Sequence, residues 1–296
     1  MASVTLQPND QTVEAERLDR VRALGDPVID GAVPAYYTPG YEQHARDVQR
    51  FITGERAFVK KELGVDVPLW LAVLDRAQWA QIEKEYPYPV PSVDGTPPVA
   101  LMPANWADAR GFFAADTDVD PAVIKVVQAR GKDWTQATYA SADLIGGHEL
   151  GHTVERAYGI VPGTHWLNEL LASYVLYAYI KSQRHDLLWL LAITRAETQP
   201  NRAQPHVTLD DFEALYMQIL ARLPSNYNWY QGQFFDEVDK VYARKGVGFL
   251  KEVRAAFPPG GERFALGSSE TLRQLEKISP GFIAWAHDVD RRPRVP

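Results

Sequence analysis

His148-Glu149-Leu150-Gly151-His152 limits what this chain can fold into more than any other stretch, because two imidazoles four residues apart can act together only on a helix. On a helix that spacing puts both rings on one face, one turn apart, where they can converge on a single metal ion. Glu149, one residue on from His148, is angled to one side of such an ion, where its carboxylate can serve as general base towards a water. Two histidines leave a zinc site incomplete. A third protein ligand has to come from elsewhere, with the fourth position left for water.

Three candidates follow in the chain. Glu155 shares the helical face but lies roughly 10 Å along the axis from His148, too far for both to reach one ion at about 2 Å, so it is expected to be a supporting or surface carboxylate. Tyr158-Gly159-Ile160-Val161-Pro162-Gly163-Thr164 reads as a helix stop, a short turn and a new N-cap, which predicts an antiparallel neighbour for the motif helix. Residues equally deep from the turn of such a hairpin face each other. His165 lies too near the turn, whereas Glu169 lies about as far after it as His152 lies before it. Glu169 is therefore the expected third ligand, in a site for one Zn2+ per chain.

The second helix of this hairpin, Thr164-His165-Trp166-Leu167-Asn168-Glu169-Leu170-Leu171-Ala172-Ser173-Tyr174, places Glu169 seventeen residues after His152. It resembles the Trp-Leu-Asn-Glu-x-x-Ala-Ser-Tyr helix of the gluzincin metallopeptidases, in particular the catalytic core of aminopeptidase N-like and peptidase MA-like proteins. The resemblance covers residues 140 to 180 well and the later helices in outline. It implies a zinc hydrolase in which His148, His152 and Glu169 bind the metal and Ser173 stands close behind them. It also implies a tyrosine that donates to the oxyanion, in a Tyr-x-x-Gly context downstream of the glutamate ligand. Here the corresponding stretch is Asn226-Tyr227-Asn228-Trp229-Tyr230-Gln231-Gly232, with Trp229 three residues before the glycine. The register departs by one, so Tyr230 is the first choice and Tyr227 the second, with His165 and His206 as weaker substitutes. The Gly-x-Met-x-Asn motif by which the aminopeptidases hold a free amino terminus is absent, and Ala100-Leu101-Met102-Pro103-Ala104-Asn105 is at best a remnant of it. An exopeptidase is therefore not implied.

Composition narrows the partners. The chain has 296 residues, 46% hydrophobic and 23% charged, enough for a substantial core, and its net charge of -7 without a long basic run argues against nucleic acid. A peptide or small-molecule substrate fits better. With no cysteine there are no disulfides or thiolate ligands. The N-terminus shows no signal peptide, and no apolar run reaches the about eighteen residues of a membrane span. As written, the chain is expected to be cytoplasmic, or exported if a leader has been removed. The sequence carries no reading of oligomeric state.

Along the chain, an amphipathic helix is expected over residues 11–24, a long helix between Gly40 and Gly64, a strand over 67–75, a short helix over 76–85 and a second strand over 98–103. The Pro-rich segment 86–98 is expected to be irregular and near the cleft. Implied by the resemblance, an edge strand of this lobe holds the substrate backbone; Ala100 to Asn105 is the place for it, or else an ordinary buried strand. Beyond Lys132 the pattern is helical: a motif helix from about Thr135, a ligand helix from Thr164, then helices over 185–197, 209–222, 226–257 with a break at Gly246, and 270–289. Gly146, Gly147 and Gly151 weaken the motif helix unless a close neighbour requires them.

The expected fold is α+β and zincin-like, with a small β-containing N-terminal lobe (1–134), a mainly helical C-terminal lobe (135–296) and the metal in the cleft between them, forming one catalytic unit. The expected function is a zinc metallopeptidase. Two alternatives stand beside it: a zinc hydrolase of a non-peptide amide or related small molecule, and a zinc-retaining binding protein without turnover, against which the intact Glu149 counts.

Overall fold

The computed structural model describes residues 17–108, 113–115, 118–198, 202–260 and 266–295. Helical residues 17–23 (α1) lead into β1 (Val28–Ile29), β2 (Ala35–Tyr37), α2 (Glu42–Leu63), β3 (Trp70–Leu74), α3 (Arg76–Ile82), β4 (Ser92–Asp94) and β5 (Val99–Pro103). Residues 11–16 of the expected first helix lie outside the described residues. The strands form one sheet in the order β1-β2-β3-β5-β4, parallel across β2-β3-β5 and antiparallel at both edges.

β3 and β5 are apolar at nearly every position and so need cover on both faces. Successive side chains alternate between the faces. Leu71, Val73, Ala100 and Met102 join the main core with α2, while Ala72, Leu74, Val99 and Leu101 pack with Leu18, Val21, Trp79 and Ile82 of α1 and α3. The α2 residues Ala45, Val48, Phe51, Ile52, Phe58 and Val59 recur at helical spacing and are buried, and Gly64 in the left-handed region (φ 71°) ends that helix. β4 is fastened by a buried ion pair: Arg17 binds Glu83, which also accepts from Ser92 Oγ at 3.1 Å.

The rest of the described chain is helical: α4 (Pro121–Gln128), α5 (Trp134–Ala142), α6 (Ile145–Tyr158), α7 (His165–Gln183), α8 (Leu188–Glu197), α9 (Leu209–Arg222), α10 (Pro224–Lys245), α11 (Gly248–Ala256), α12 (Ser268–Ile278) and α13 (Phe282–Asp290). Every residue of α7 from Trp166 to Ile180 is buried, the mark of a helix surrounded on all sides. One continuous core runs from Ile29 to Val289, so the expected lobes share it across residue 134.

Four local expectations are corrected. The motif helix does not run from Thr135; α5 stops at Ala142 and α6 begins at Ile145. At the break, Asp143 Oδ1 is bonded by His44 Nε2 at 2.8 Å and accepts from Trp106 Nε1 at 2.7 Å, tying the junction to α2 and to the end of β5. The helix expected over 270–289 is interrupted at Gly281, whose φ of 118° is unavailable inside a helix. The Pro-rich segment contains β4. Finally, of the two readings of the stretch from Ala100, the edge strand is overturned and the buried strand holds: β5 is interior, and the edge on this side of the sheet is β4.

α6 and α7 approach at backbone distance. A Cβ on Gly151 would lie 2.6 Å from both Cα and O of Ala172, so only glycine fits. We expect Gly151→Ala to cost about 1–3 kcal/mol, as overpacking against backbone does. Urea unfolding is the measurement, and a variant as stable as the parent would refute the contact.

Glu55 of α2 is fully buried, with neither carboxylate oxygen hydrogen-bonded among the described residues, and burial pushes its carboxyl up to about 8. In the unfolded chain a glutamate titrates near about 4.3. Below that pH both states hold the proton and the group is neutral to stability. As pH rises towards the folded value only the unfolded chain releases it, so the folded state loses ground, by a total of about 5 kcal/mol. Glu55→Gln should therefore be the more stable protein at pH 8 and gain little at pH 4. Equal gains at both pH values in urea melts would overturn the assignment.

Candidate metal centre

The ligand hairpin is set by its ends. Gly159 (φ 75°) terminates α6 in the left-handed conformation, and Thr164 caps α7 by accepting from the Leu167 N–H at 3.3 Å. Between them the chain reverses, and Glu169 comes level with the histidines as the spacing predicts. His148 Nε2 stands 3.1 Å from Glu169 Oε2 and 3.1 Å from His152 Nε2, and His152 Nε2 stands 3.9 Å from Glu169 Oε2. Tetrahedral zinc with bonds of about 2.0–2.1 Å holds its ligand atoms about 3.4 Å apart. One atom of each of the three residues lies within 3.1–3.9 Å of the others, so the trio could hold one ion.

Each ligand is oriented from behind. Ser173 Oγ lies 3.1 Å from His148 Nδ1, the position the resemblance implied. Glu155 is buried, not a surface carboxylate: its Oε1 is 3.8 Å from His152 Nδ1 and its Oε2 accepts from Asn168 Nδ2 at 2.7 Å. Glu169 accepts from Tyr216 Oη at 2.6 Å on Oε1, and from Tyr227 Oη at 2.9 Å and Gln231 Nε2 at 2.8 Å on Oε2. Burial alone would raise the Glu169 carboxyl, but the His148 hydrogen bond, the charges of both histidines and the Tyr216 bond hold it well below the usual range. Glu149 lacks such donors. Burial, opposed by His148 and reinforced by Glu169, pushes its carboxyl up to about 7.

A cavity of about 490 Å³ opens on these groups. Its walls include β4, the Pro-rich residues Tyr86, Pro89 and Pro91, and side chains from α6, α7, α9 and α10. Burial and the charges of Glu85, Glu169 and Glu149 push the Tyr86 hydroxyl up to about 12.

The tyrosine expectation is reordered. Tyr227 lies in the cavity wall against Glu169, while Tyr230 is fully buried away from it and donates to the Thr208 carbonyl at 2.7 Å. Its ring packs on Phe212 and Phe234, and Phe234 lies four residues on, a spacing that marks the core face of α10. By the same spacing Tyr227 and Gln231 share the polar face, a signal that distinguishes the two tyrosines. His165 lines the cavity but is occupied: it stacks on Tyr216 at 4.6 Å and its Nδ1 pairs with Glu213 at 2.7 Å. His206 is engaged through its backbone with Asn226 and is not in the cavity wall. Tyr216, Gln231 and Tyr86 went unrecognised in the sequence, where none belongs to a motif.

Comparison with protein-family models, with curated proteins and with solved structures gave no match.

Equilibrium dialysis against Zn2+ should give about one ion per chain, with Glu169→Ala binding at least about tenfold more weakly, because two imidazoles make an incomplete site. Wild-type affinity in Glu169→Ala would remove Glu169 from the ligand set.

Proposed function

We propose that this protein is a zinc-dependent hydrolase of peptide bonds with a zincin-like arrangement of its α+β fold. The observation that carries the proposal is the convergence of His148, His152 and Glu169 beside a buried Glu149 that is not needed as a ligand. A structural metal site has no use for a fourth, donor-poor carboxylate at its side; a hydrolytic site does.

His148, His152 and Glu169 would hold the ion. Zinc bound there supplies a Lewis acid that polarises a substrate carbonyl and acidifies water. Glu149 takes the proton from the attacking water and returns it to the leaving nitrogen, a task suited to a carboxyl that burial lifts towards neutrality. Tyr227 lines the cavity and donates to Glu169 Oε2 at 2.9 Å, so it serves a developing oxyanion by exchanging that bond for one to the substrate. Gln231 and Tyr216 fix the Glu169 carboxylate, and Ser173 fixes the His148 ring. A peptide is favoured over a small amide because β4, a sheet edge, lines the same cavity and offers backbone groups to an extended chain.

The test is a peptide-library digest read by mass spectrometry at equal zinc occupancy. Glu149→Gln keeps size and hydrogen bonding but cannot accept the proton, so cleavage should fall by at least about a hundredfold with zinc content unchanged. Tyr227→Phe should lower kcat by roughly a hundredfold with little change in KM, and Tyr230→Phe should do neither. Equal rates from wild type and Glu149→Gln would sink the mechanism. No cleavage by the wild type would move the proposal to a non-peptide substrate or to zinc-dependent binding.

A further inference from the structure

Glu197, the last residue of α8, lines the same cavity as His148 and Glu149 but has no part in the chemistry above. Its Oε1 is sealed from solvent without a hydrogen-bond partner, and the side chain makes no ion pair among the described residues. Burial drives its carboxyl well above the usual range. With Oε1 sealed, the carboxyl is reached from the cavity through its other oxygen, by a donor or a cation, and otherwise keeps a proton.

The neighbouring polar groups decide which kind of ligand fits. Thr194 and Thr198 lie three residues before and one after Glu197, so Thr194 shares its face of α8, and both threonines line the cavity with Ser141 of α5. Thr194 Oγ1 donates to the Leu190 carbonyl at 3.1 Å, Ser141 Oγ and Thr194 Oγ1 are 2.7 Å apart, and Thr198 Oγ1 donates to the Arg195 carbonyl at 2.8 Å. All three hydroxyl protons are thus spent within the protein, and what remains towards the cavity is lone pairs. Among the described residues, these hydroxyls and Glu197 therefore offer acceptors. Such a set suits a group rich in N–H rather than an anion. Leu144 and Phe235 line the cavity too and supply apolar wall for an aliphatic stem.

We infer that the part of the cavity around Glu197 is a recognition pocket for an alkyl guanidinium or ammonium group, and that Glu197 selects substrates bearing a lysine- or arginine-like side chain. The pocket itself stands on its own geometry; that its occupant is part of a substrate rests on the hydrolase proposal.

The probe is n-butylguanidinium, a permanent cation and a poor metal ligand, compared with the isosteric neutral n-butylurea on the zinc-loaded full chain by isothermal titration. Wild type should bind the cation at least about tenfold more tightly than the urea, as for a charge-assisted pair, and Glu197→Gln should abolish the difference while keeping its zinc. Equal affinities in wild type, or a preference that survives in Glu197→Gln, would overturn the pocket; the wild-type comparison decides even if the variant does not fold. In the peptide digest, wild type should cleave at a fixed distance from Lys or Arg and Glu197→Gln should lose that enrichment. Cleavage without such enrichment would also overturn the assignment. If no peptide is cleaved, the hydrolase proposal fails by itself, and the butylguanidinium titration still decides the pocket.

Discussion

The approach of α6 to α7 at Gly151 is the constraint on which the rest depends. Helices packed through ordinary side chains keep their axes about 8–10 Å apart, and residues projecting from each then reach one another only at their tips. Here the α7 backbone at Ala172 occupies the place of a side chain on α6, so His148 and His152 from one helix and Glu169 from the other share a single small volume. One turn earlier, at Gly147, the space a Cβ would take is filled by Glu55 and Phe51 of α2 and by Leu176 of α7, and a Cβ on Gly146 would meet Ile52 and Val48, which brings α2 against the helix just before the first histidine. A helix gripped by two neighbours is held against sliding or rotating, and His148 and His152 are kept in register with Glu169 without help from loops.

Four carboxylates stand at the cavity or just behind it, Glu149, Glu155, Glu169 and Glu197, and the structure treats them differently. Glu169 is met by four donors or partners and stays ionised. Glu155 has Asn168 and lies behind His152. Glu149 and Glu197 have cavity in front of them and no comparable set of donors, and burial raises both. A fold selected only for stability would satisfy or replace such groups, since an unpaired buried charge is among the costliest features a core can carry. Where local rules of packing and pairing are broken together, at one cavity, the breakage points to chemistry with a ligand. Glu55 breaks the same rule away from the cavity wall, and nothing in the structure explains its retention.

How much of this was legible in the sequence follows from the range of each interaction. The hairpin, its caps at Gly159 and Thr164 and the buried face of α2 are fixed by neighbours three to seven residues apart, and these agree with the structure, as does the placing of Glu169 level with the histidines. β1, β2 and β4 are strands of two or three residues that exist only because distant partners pair with them, so no periodicity announces them. The break between α5 and α6 depends on His44 and Trp106 reaching Asp143 from elsewhere in the chain. Tyr216 completes the Glu169 environment from a third helix, with no motif to mark it. The choice of Tyr230 over Tyr227 went wrong for a different reason: spacing to Gly232 outweighed the helical face, although Phe234 four residues on placed Tyr230 in the core.

The sheet edge beside the cavity shows how a reactive surface can be kept open without becoming a hazard. An exposed edge offers unpaired N–H and C=O groups to any extended chain, including another copy of the same sheet. β4 limits this by being three residues long, with Pro91 immediately before Ser92 and Pro97 and Pro98 between it and β5. Prolines cannot donate to a ladder, so pairing cannot propagate beyond the strand in either direction. Arg17 and Glu83 pin the strand from behind through Ser92, which keeps the edge in place without covering it. What remains is a three-residue edge in the cavity wall, too short to nucleate a sheet. Those dimensions suit the proposed peptide substrate, and they follow from the same Pro-rich composition that made the segment look structureless.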